Sequence, residues 1–250
     1  MNIHSTPLDK RTKTRYNHIM TETTFSKKIK KDTSKSHSMA ENTGFVTNFL
    51  AGVVDKDSYK QLIADFFFIY TALEEQVDAF KDDPLISKIG FEELRRVPSL
   101  ESDCEYYWGE NWRSIISPTD ACKNYITRVK KISPKFLVGH HYTRYLGDLS
   151  GGQILKNIAD KSMGLNGQGL AFYDFADIPD AKDFKTKYRT ALDNLPITEA
   201  DGDLIIEEAN YAFKLNMDVF DEIGSKKRFP IISTIRGLLQ LTWGAIKSKK

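Results

Sequence analysis

The chain has few cysteines, no long apolar run and no marked excess of either charge. Cys104 and Cys122 are the only cysteines, and their spacing matches neither a structural zinc site nor a dense disulfide framework. This favours a reducing compartment, although a single disulfide remains open. No apolar stretch approaches the roughly 20 residues needed to cross a bilayer, and the N-terminus lacks the apolar core of a signal peptide. These absences predict a soluble protein that is not secreted.

The charge balance gives no general case for binding nucleic acid. Lysine and arginine together number 36 against 34 acidic residues, a formal net charge of +2. A nucleic-acid-binding domain usually carries a clear basic excess over one face. We therefore expect no nucleic-acid partner.

The sequence also lacks the alternating apolar pattern of β-strands, and its apolar residues show the spacing of α-helices instead. No alternating apolar segments are joined by Asn-Gly or Asp-Gly turns, and there is no internal repeat. Between Tyr59 and Phe80 the apolar residues recur every three or four positions, as on a buried helix face. Further periodic stretches cover residues 99–113, 119–132, 135–162, 180–193 and 198–222. The sequence predicts a single all-α domain over residues 23–225.

The two ends of the chain differ from this domain in composition. Residues 1–22 form a basic leader, for which a disordered tail and a natural start at Met20 are together favoured over a transit peptide, because no amphipathic period is present. Residues 226–250 form an amphipathic C-terminal extension that is too charged to span a membrane. We favour a helix docked on the protein, and peripheral membrane contact by residues 231–246 is the alternative.

Three glycines interrupt a helix-favouring run, GHHYTRYLGDLSGGQILK, at residues 139–156. Each glycine inside a helix costs about 1 kcal/mol relative to alanine. Gly147 and Gly151 are four apart and share one face, so they leave bare backbone that can pack against a helix or a flat ligand. Packing is the commoner reason for such a pair, but the third glycine, Gly152, also permits a kink and a mobile helix. The cluster therefore suits a ligand that enters and leaves.

A candidate metal ligand lies far upstream of these glycines. His37 and Glu41 are one helical turn apart, so the carboxylate can orient the imidazole, as it commonly does for metal-bound histidines. Taken alone, the pair is an ordinary helical ion pair. Five histidines and two cysteines offer no convincing set of four zinc ligands, whereas haem requires only one protein histidine.

Three motifs in order together resemble the haem oxygenase family. They are KSHSMAEN at residues 35–42, FFIYTALEE at 67–75 and YTRYLGDLSGGQ at 142–153, and further similarity extends the match across about residues 25–223. The resemblance implies a multi-helix fold in which haem lies between a proximal helix and a kinked distal helix. It also implies an enzyme that cleaves haem to biliverdin, with the IXα isomer expected, together with Fe²⁺ and CO. A haem carrier or sensor on the same fold is the alternative.

The resemblance assigns roles around the iron of haem b, which would be both substrate and prosthetic group, with O₂ as co-substrate. His37 would ligate the iron, and Glu41 would be its hydrogen-bond partner. Gly147 and Gly151 would bring the distal backbone onto the haem face. Asp148 would hold an ordered water that delivers protons. The expected members of the surrounding network are Tyr70, Arg144 and Asn216.

Further roles concern the rim of the site. Four side chains would hold the haem propionates: Lys30, Tyr142, Lys185 and Arg189. Lys185 and Arg189 are four apart and hence on one helix face, as suits a pair that binds carboxylates. Phe67 and Phe68 are candidates for the apolar wall.

Neighbouring residues of the distal helix have a less specific interpretation. His140 is expected to be a structural, hydrogen-bonding histidine, since His37 supplies the ligand. Gly139 and His141 differ from the alanine and the small residue expected there, and an additional glycine would soften the start of the helix.

No flavin, nicotinamide or iron–sulfur motif is present in the sequence, so electrons must come from a partner. A basic rim would attract an acidic donor. The similarity is greatest to cyanobacterial and plastid members. It implies reduced ferredoxin as donor, a downstream bilin reductase, and a location in the bacterial cytoplasm or the plastid stroma.

Overall fold

The computed structural model describes residues 23–53 and 55–225, and every regular element within them is helical. The predicted leader, residues 1–22, and the extension, residues 226–250, lie outside the described residues. The α-helices are α1 (Phe25–Asp32), α2 (Ser34–Glu41), α3 (Gly44–Leu50), α4 (Lys56–Ala79), α5 (Ile86–Ile89), α6 (Val97–Trp108), α7 (Trp112–Ile115), α8 (Asp120–Val129), α9 (Pro134–His141), α10 (Gly147–Met163), α11 (Ala181–Asp193) and α12 (Glu199–Ser225). Two short 3₁₀ turns, Glu92–Leu94 and Ala171–Tyr173, join them.

The long helices α4 and α12 organise the core. Asp55 caps the start of α4 by accepting a hydrogen bond from the backbone N–H of Ser58, at 2.9 Å. One face of α4 packs on α6 and another on α8, while α12 packs on α8 and α9. The predicted spacing on α4 is confirmed, because Leu62, Ile69 and Leu73 are buried. The prediction of a single all-α domain is likewise confirmed.

The periodic stretch at about residues 135–162 is not one regular α-helix. Pro134 starts α9, and five residues, Tyr142–Leu146, form a π-helical turn before α10 begins. Helix α10 ends at Gly164, whose φ of +64° is a left-handed conformation that glycine adopts without strain. A π turn inserts extra backbone into a helix and is frequent at functional sites. Here it directly precedes the glycine cluster.

Two of the periodic stretches are longer than the helices within them. The stretch at about 99–113 is broken after Trp108, because Gly109 adopts a φ of +77° and a new short helix begins at Trp112. In the stretch at about 119–132, the helix ends at Val129. Apolar spacing continues past both ends, but the hydrogen-bonded helix does not.

Both cysteines are buried and free, so no disulfide joins them. Burial raises the pKa of Cys104 to about 12, which keeps it a neutral thiol. Within the described part of the chain, no helix is long and apolar enough to cross a membrane.

Candidate active site

A largely apolar cavity of about 270 Å³ lies between helices α2, α3, α4, α10 and α12. This volume is just below the roughly 300–1,000 Å³ typical of small-molecule sites, and the cavity is partly open to solvent. Aromatic rings supply much of its wall: Phe45, Phe49, Phe66, Phe172, Tyr173, Phe213 and Phe220. Both sequence motifs singled out above, the upstream histidine and the glycine cluster, meet at this cavity.

His37 lines the cavity from α2. Its ring meets the ring of Phe213 edge to face, with centroids 5.8 Å apart, and its side chain is 55% exposed. Nδ1 lies 3.7 Å from a carboxylate oxygen of Glu41, which is longer than a hydrogen bond. Glu41 therefore faces the histidine, as the spacing predicts, without being bonded to it.

Gly147 and Gly151 line the same cavity from α10. A Cβ atom built on either glycine meets no atom of residues 23–53 or 55–225 within 4 Å, so among these residues both glycines face open space. Gly152 has another environment, because its Cβ position lies 3.4 Å from the ring of Tyr173. Two of the three glycines thus expose bare backbone to the cavity, and the third packs against protein.

Gly139 has a purely structural reason to lack a side chain. A Cβ there would lie 2.9 Å from the backbone nitrogen of Ala209 and 2.9 Å from the backbone oxygen of Ile205. Helices α9 and α12 therefore cross in near backbone contact at this point. Gly139 therefore has a packing role, because it lets α12 lie against α9, in addition to the softening of the helix start that the sequence predicts.

A buried polar network lies beside the bare glycine backbone. The Tyr70 hydroxyl donates to the carboxylate of Asp148. Arg144 donates through Nε to the Tyr70 oxygen at 3.0 Å and through Nη1 to the Asn216 amide oxygen at 2.5 Å. The structure thus brings together the four residues that the sequence assigned to one network, from helices α4, α10 and α12 and the π turn.

One donor of this network makes no hydrogen bond with any of the residues that the structure describes. It is Nη2 of Arg144, which is buried and lies 3.8 Å from a carboxylate oxygen of Asp148. A buried guanidinium N–H without an acceptor costs stability unless a ligand or water completes it. The guanidinium also stacks over the ring of Phe66, at 4.4 Å from its centroid, which fixes its plane.

Opposing effects act on the pKa of the Asp148 carboxyl. Burial raises the pKa of this carboxyl, while the nearby charge of Arg144 and the hydrogen bond from Tyr70 lower it. Burial also raises the pKa of Tyr70, so its hydroxyl keeps the proton that it donates. Asp148 is therefore an acceptor whose protonation depends on its immediate neighbours.

The four residues predicted to bind propionates do not line the cavity itself. Lys30 is exposed at the end of α1, while Lys185 and Arg189 are half-buried on α11, which packs against α1. Tyr142 is buried in the π turn, and the positive charge of Arg189 lies near enough to oppose the rise of its pKa on burial. These side chains gather on the α1–α11 side of the molecule.

The histidines of α9 are structural, as expected for His140. His140 pairs through Nε2 with Glu208 at 2.8 Å and through Nδ1 with the hydroxyl of Tyr125 at 3.3 Å. His141 bonds the hydroxyl of Tyr188 at 2.7 Å. All of these groups are buried or nearly so, so neither histidine is available to a ligand.

The predicted wall residues Phe67 and Phe68 were wrong. Phe67 packs against Trp112, with ring centroids 4.8 Å apart, and against Phe68. Phe66 lines the cavity in their place, because it shares a helix face with Leu62 and Tyr70. The four-residue spacing of these three side chains was the signal that could have found it.

The residues of the cavity fit haem. The histidine that lines it can supply the single protein ligand that haem iron needs, and apolar walls suit a porphyrin. Gly147 and Gly151 leave space that side chains would fill. Arg144 also lines the cavity, and its Nη2 is a donor with no hydrogen-bond acceptor in the described part of the chain.

Comparisons with known proteins agree with this geometry. A family model described as "Heme oxygenase" matches residues 23–222. Heme oxygenase 1 of Nostoc sp. strain PCC 7120 is 54% identical over 200 residues, covering 78% of this chain and 84% of that protein. Heme oxygenase of Rhodella violacea is 49% identical over 208 residues, covering 82% and 88%.

A solved structure gives the same answer for the fold. Heme oxygenase-1 from the cyanobacterium Synechocystis sp. PCC6803, in complex with heme, is 45% identical with a TM-score of 0.79. The match covers 89% of this chain and 99% of that one. The residues matched by the family model include all of those that line the cavity, and the chain belongs to the haem oxygenase family.

Proposed function

We propose that this protein is a haem oxygenase that binds haem as prosthetic group and substrate and converts it, with O₂ and supplied electrons, to biliverdin, Fe²⁺ and CO. The observation that carries the proposal is the meeting of His37 and the bare backbone of Gly147 and Gly151 at one apolar cavity, beside a buried carboxylate network. A mere haem carrier needs the histidine and the apolar wall. Binding haem without cleaving it does not require Asp148 and its buried hydrogen-bond partners.

When bound, haem supplies the iron that activates O₂ and the ring that is opened. His37 supports it through its imidazole. Because Nδ1 faces Glu41 at 3.7 Å, Nε2 is the nitrogen left to bind iron. Closure of the Glu41 contact to a hydrogen bond on binding would fix the tautomer and orientation of the ring.

Asp148 would take part in proton delivery on the distal side of the haem. Its carboxylate already accepts the Tyr70 hydroxyl, and Nη2 of Arg144 lies 3.8 Å away with no hydrogen-bond acceptor among the described residues. A water held between this donor and the carboxylate would satisfy both groups. Such a water can pass a proton into the cavity while the protein supplies no base in direct contact with the ring.

The bare glycine backbone acts by shape. Without side chains at Gly147 and Gly151, α10 can approach a flat ligand closely over part of its face. Close contact on one part of the face leaves the remainder open to O₂. We propose that this asymmetry directs attack to one edge of the ring and gives a single biliverdin isomer, IXα.

The α1–α11 surface would receive the charged edge of the ligand and the electron donor. Lys30, Lys185 and Arg189 present cations there, and Tyr142 adds a hydroxyl. Carboxylates such as the propionates pair well with this set. Reduced ferredoxin or a similar acidic protein would dock against the same positive rim. A bilin reductase would take the product, in bacterial cytoplasm or plastid stroma.

The decisive experiment is anaerobic loading with haem, followed by O₂ and reduced ferredoxin, while the absorption spectrum is recorded. We expect a Soret band that decays as biliverdin and CO appear. His37→Ala should weaken haem binding and change the iron coordination spectrum, because no other histidine lines the cavity among the described residues.

A stable Soret band without biliverdin would reject the oxygenase and leave a carrier or sensor. Failure to bind haem at all would reject both. Exhaustive reduction with a chemical reductant is the control, because it separates an inactive protein from one that merely lacks its donor.

A further inference from the structure

One wall of the cavity is a short turn between α10 and α11 rather than a helix. Phe172, in the 3₁₀ turn Ala171–Tyr173, packs its ring against Phe66 at 5.2 Å and against Tyr70 at 5.5 Å between centroids. Tyr173 lies against Gly152 of α10. Both rings line the cavity. The turn therefore contacts the distal helix and a member of the proton network.

The backbone of this turn is held by a carboxylate of α6. One oxygen of Asp103 accepts the backbone N–H of Ala171 and the other accepts that of Phe172, each at 2.8 Å. Asp103 is only 1% exposed. Two charge-assisted bonds from one buried side chain restrict both the position and the rotation of the peptide units that carry the Phe172 ring.

Two further side chains of the same helix region bind the turn on either side. Arg96, just before α6, donates to the backbone oxygens of Phe172 at 3.2 Å and Asp174 at 2.5 Å. Tyr107 donates through its hydroxyl to the backbone oxygen of Gly169 at 3.0 Å. Arg96, Asp103 and Tyr107 are spaced by seven and four residues, so they share one helix face. All of the hydrogen bonds from this face to residues 169–174 go to backbone atoms.

We propose that Asp103 is a positioning residue for haem cleavage. By holding the backbone N–H groups of Ala171 and Phe172, it fixes the rings of Phe172 and Tyr173 and so sets how haem lies in the cavity. The proposal rests on the proposed function, and Asp103 acts only through the turn, since it does not line the cavity.

The test variant is Asp103→Asn, which keeps the shape of the side chain. Its amide can accept only one of the two N–H groups, and its own NH₂ then faces the other donor. Asp65→Asn is the matched control. Asp65 is a fully buried carboxylate on α4 that accepts the backbone N–H of Thr119 at 2.9 Å and its hydroxyl at 2.7 Å. Neither Asp65 nor its partner Thr119 lines the cavity.

The first readout needs no haem. Hydrogen–deuterium exchange of the haem-free protein should show the amides of Ala171 and Phe172 exchanging about tenfold faster in Asp103→Asn, because each loses a buried charged acceptor. Asp65→Asn should leave these amides unchanged and expose those near Thr119 instead. Tyr107→Phe, which removes one hydroxyl and no charge, is a milder second variant should Asp103→Asn fold poorly.

The second readout uses the haem-loaded protein. Asp103→Asn should produce a mixture of biliverdin isomers and release haemin to a scavenger faster than wild type, while Asp65→Asn should match wild type in both. Tyr107→Phe should shift both quantities in the same direction by less.

Faster exchange in the turn with an unchanged isomer ratio and haemin release would overturn the proposal. So would equal changes in the Asp65→Asn control, since these would reflect general loss of stability. If wild type itself fails to cleave haem, the proposed function falls, while the exchange experiment still reports on the Asp103 contact.

Discussion

At the scale of single residues, Asp148 depends most on its neighbours. Burial alone favours the protonated carboxyl, whereas the charge of Arg144 and the Tyr70 hydroxyl favour the carboxylate. Asn216 holds Arg144 in place through its amide oxygen. Removing any partner shifts this balance, so the four side chains act as one unit rather than as independent contributions.

Asp148→Ala should retain haem yet lose ring opening. The histidine and the apolar walls remain, so the Soret band should form as in wild type. Proton delivery by a positioned side chain contributes about a hundredfold or more to rate, and biliverdin formation should fall by about that factor. Single-turnover absorption after O₂ addition measures both quantities.

A suitable control for this variant is Asp218→Ala. Asp218 is an exposed carboxylate of α12 that pairs with Lys214 at 2.6 Å, so its loss should leave turnover unchanged. Biliverdin yield equal to wild type in Asp148→Ala would reject the water-network role.

At the scale of helices, the segment from α9 to α10 contains glycines with two different roles. Gly139 is pressed against the backbone of α12, whereas Gly151 faces the open cavity. The π turn, Tyr142–Leu146, separates the two. One end of the segment is therefore clamped to the core, and the other end is shaped for a ligand.

Gly139→Ala and Gly151→Ala should have opposite effects on the haem-free protein. At Gly139 the new methyl group meets the backbone of Ile205 and Ala209 at 2.9 Å, and overpacking of this kind costs about 1–3 kcal/mol. At Gly151 the methyl group meets no atom of the described residues within 4 Å, and alanine favours the helix by up to about 1 kcal/mol. Urea denaturation of the haem-free variants measures both changes.

The same pair separates packing from ligand contact. Gly151→Ala should weaken haem binding in an absorbance titration although the protein is no less stable. If Gly151→Ala binds haem as wild type does, the close approach of α10 to the ligand is refuted. An unchanged urea midpoint in Gly139→Ala would show instead that α9 and α12 can separate at no cost.

At the scale of the whole molecule, a buried histidine ties stability to pH. His141 is 2% exposed, and burial lowers its pKa to about 3. Its unfolded value is near 6.5. The unfolded chain thus takes up the proton first, so the stabilising contribution is complete above about pH 6.5 and is lost as pH falls toward 3.

Comparison of wild type with His141→Ala should isolate this effect. At pH 7 the variant should be the less stable protein, because it lacks the ring contacts and the bond to Tyr188. Toward pH 4 the gap should narrow by about 1.4 kcal/mol for each pH unit below 6.5. Urea unfolding at a series of pH values measures the gap, and a constant gap would show that His141 titrates normally.

The sequence predicted much of the site because its information is local. Helical spacing marks α4 and α12, and the order of three motifs points to one family. Side chains four apart on one helix, such as Arg144 and Asp148, are neighbours in any helix. The resemblance to the family added Tyr70 and Asn216 to the predicted network of Arg144 and Asp148. The prediction that Phe67 and Phe68 form the wall was wrong, because the neighbouring Phe66 faces the cavity instead. The apolar spacing of α4 could have indicated Phe66.

The sequence by itself determined the helical class, the composition of the site and the residues that could do chemistry in it. The tertiary structure alone decided which distant groups meet. Asp103 and the amides that it binds are 68 and 69 residues apart, and Gly139 is required only because α12 crosses there. Contacts of this kind leave no periodic trace, because they depend on how finished helices pack against one another and on which backbone groups that packing leaves to be satisfied.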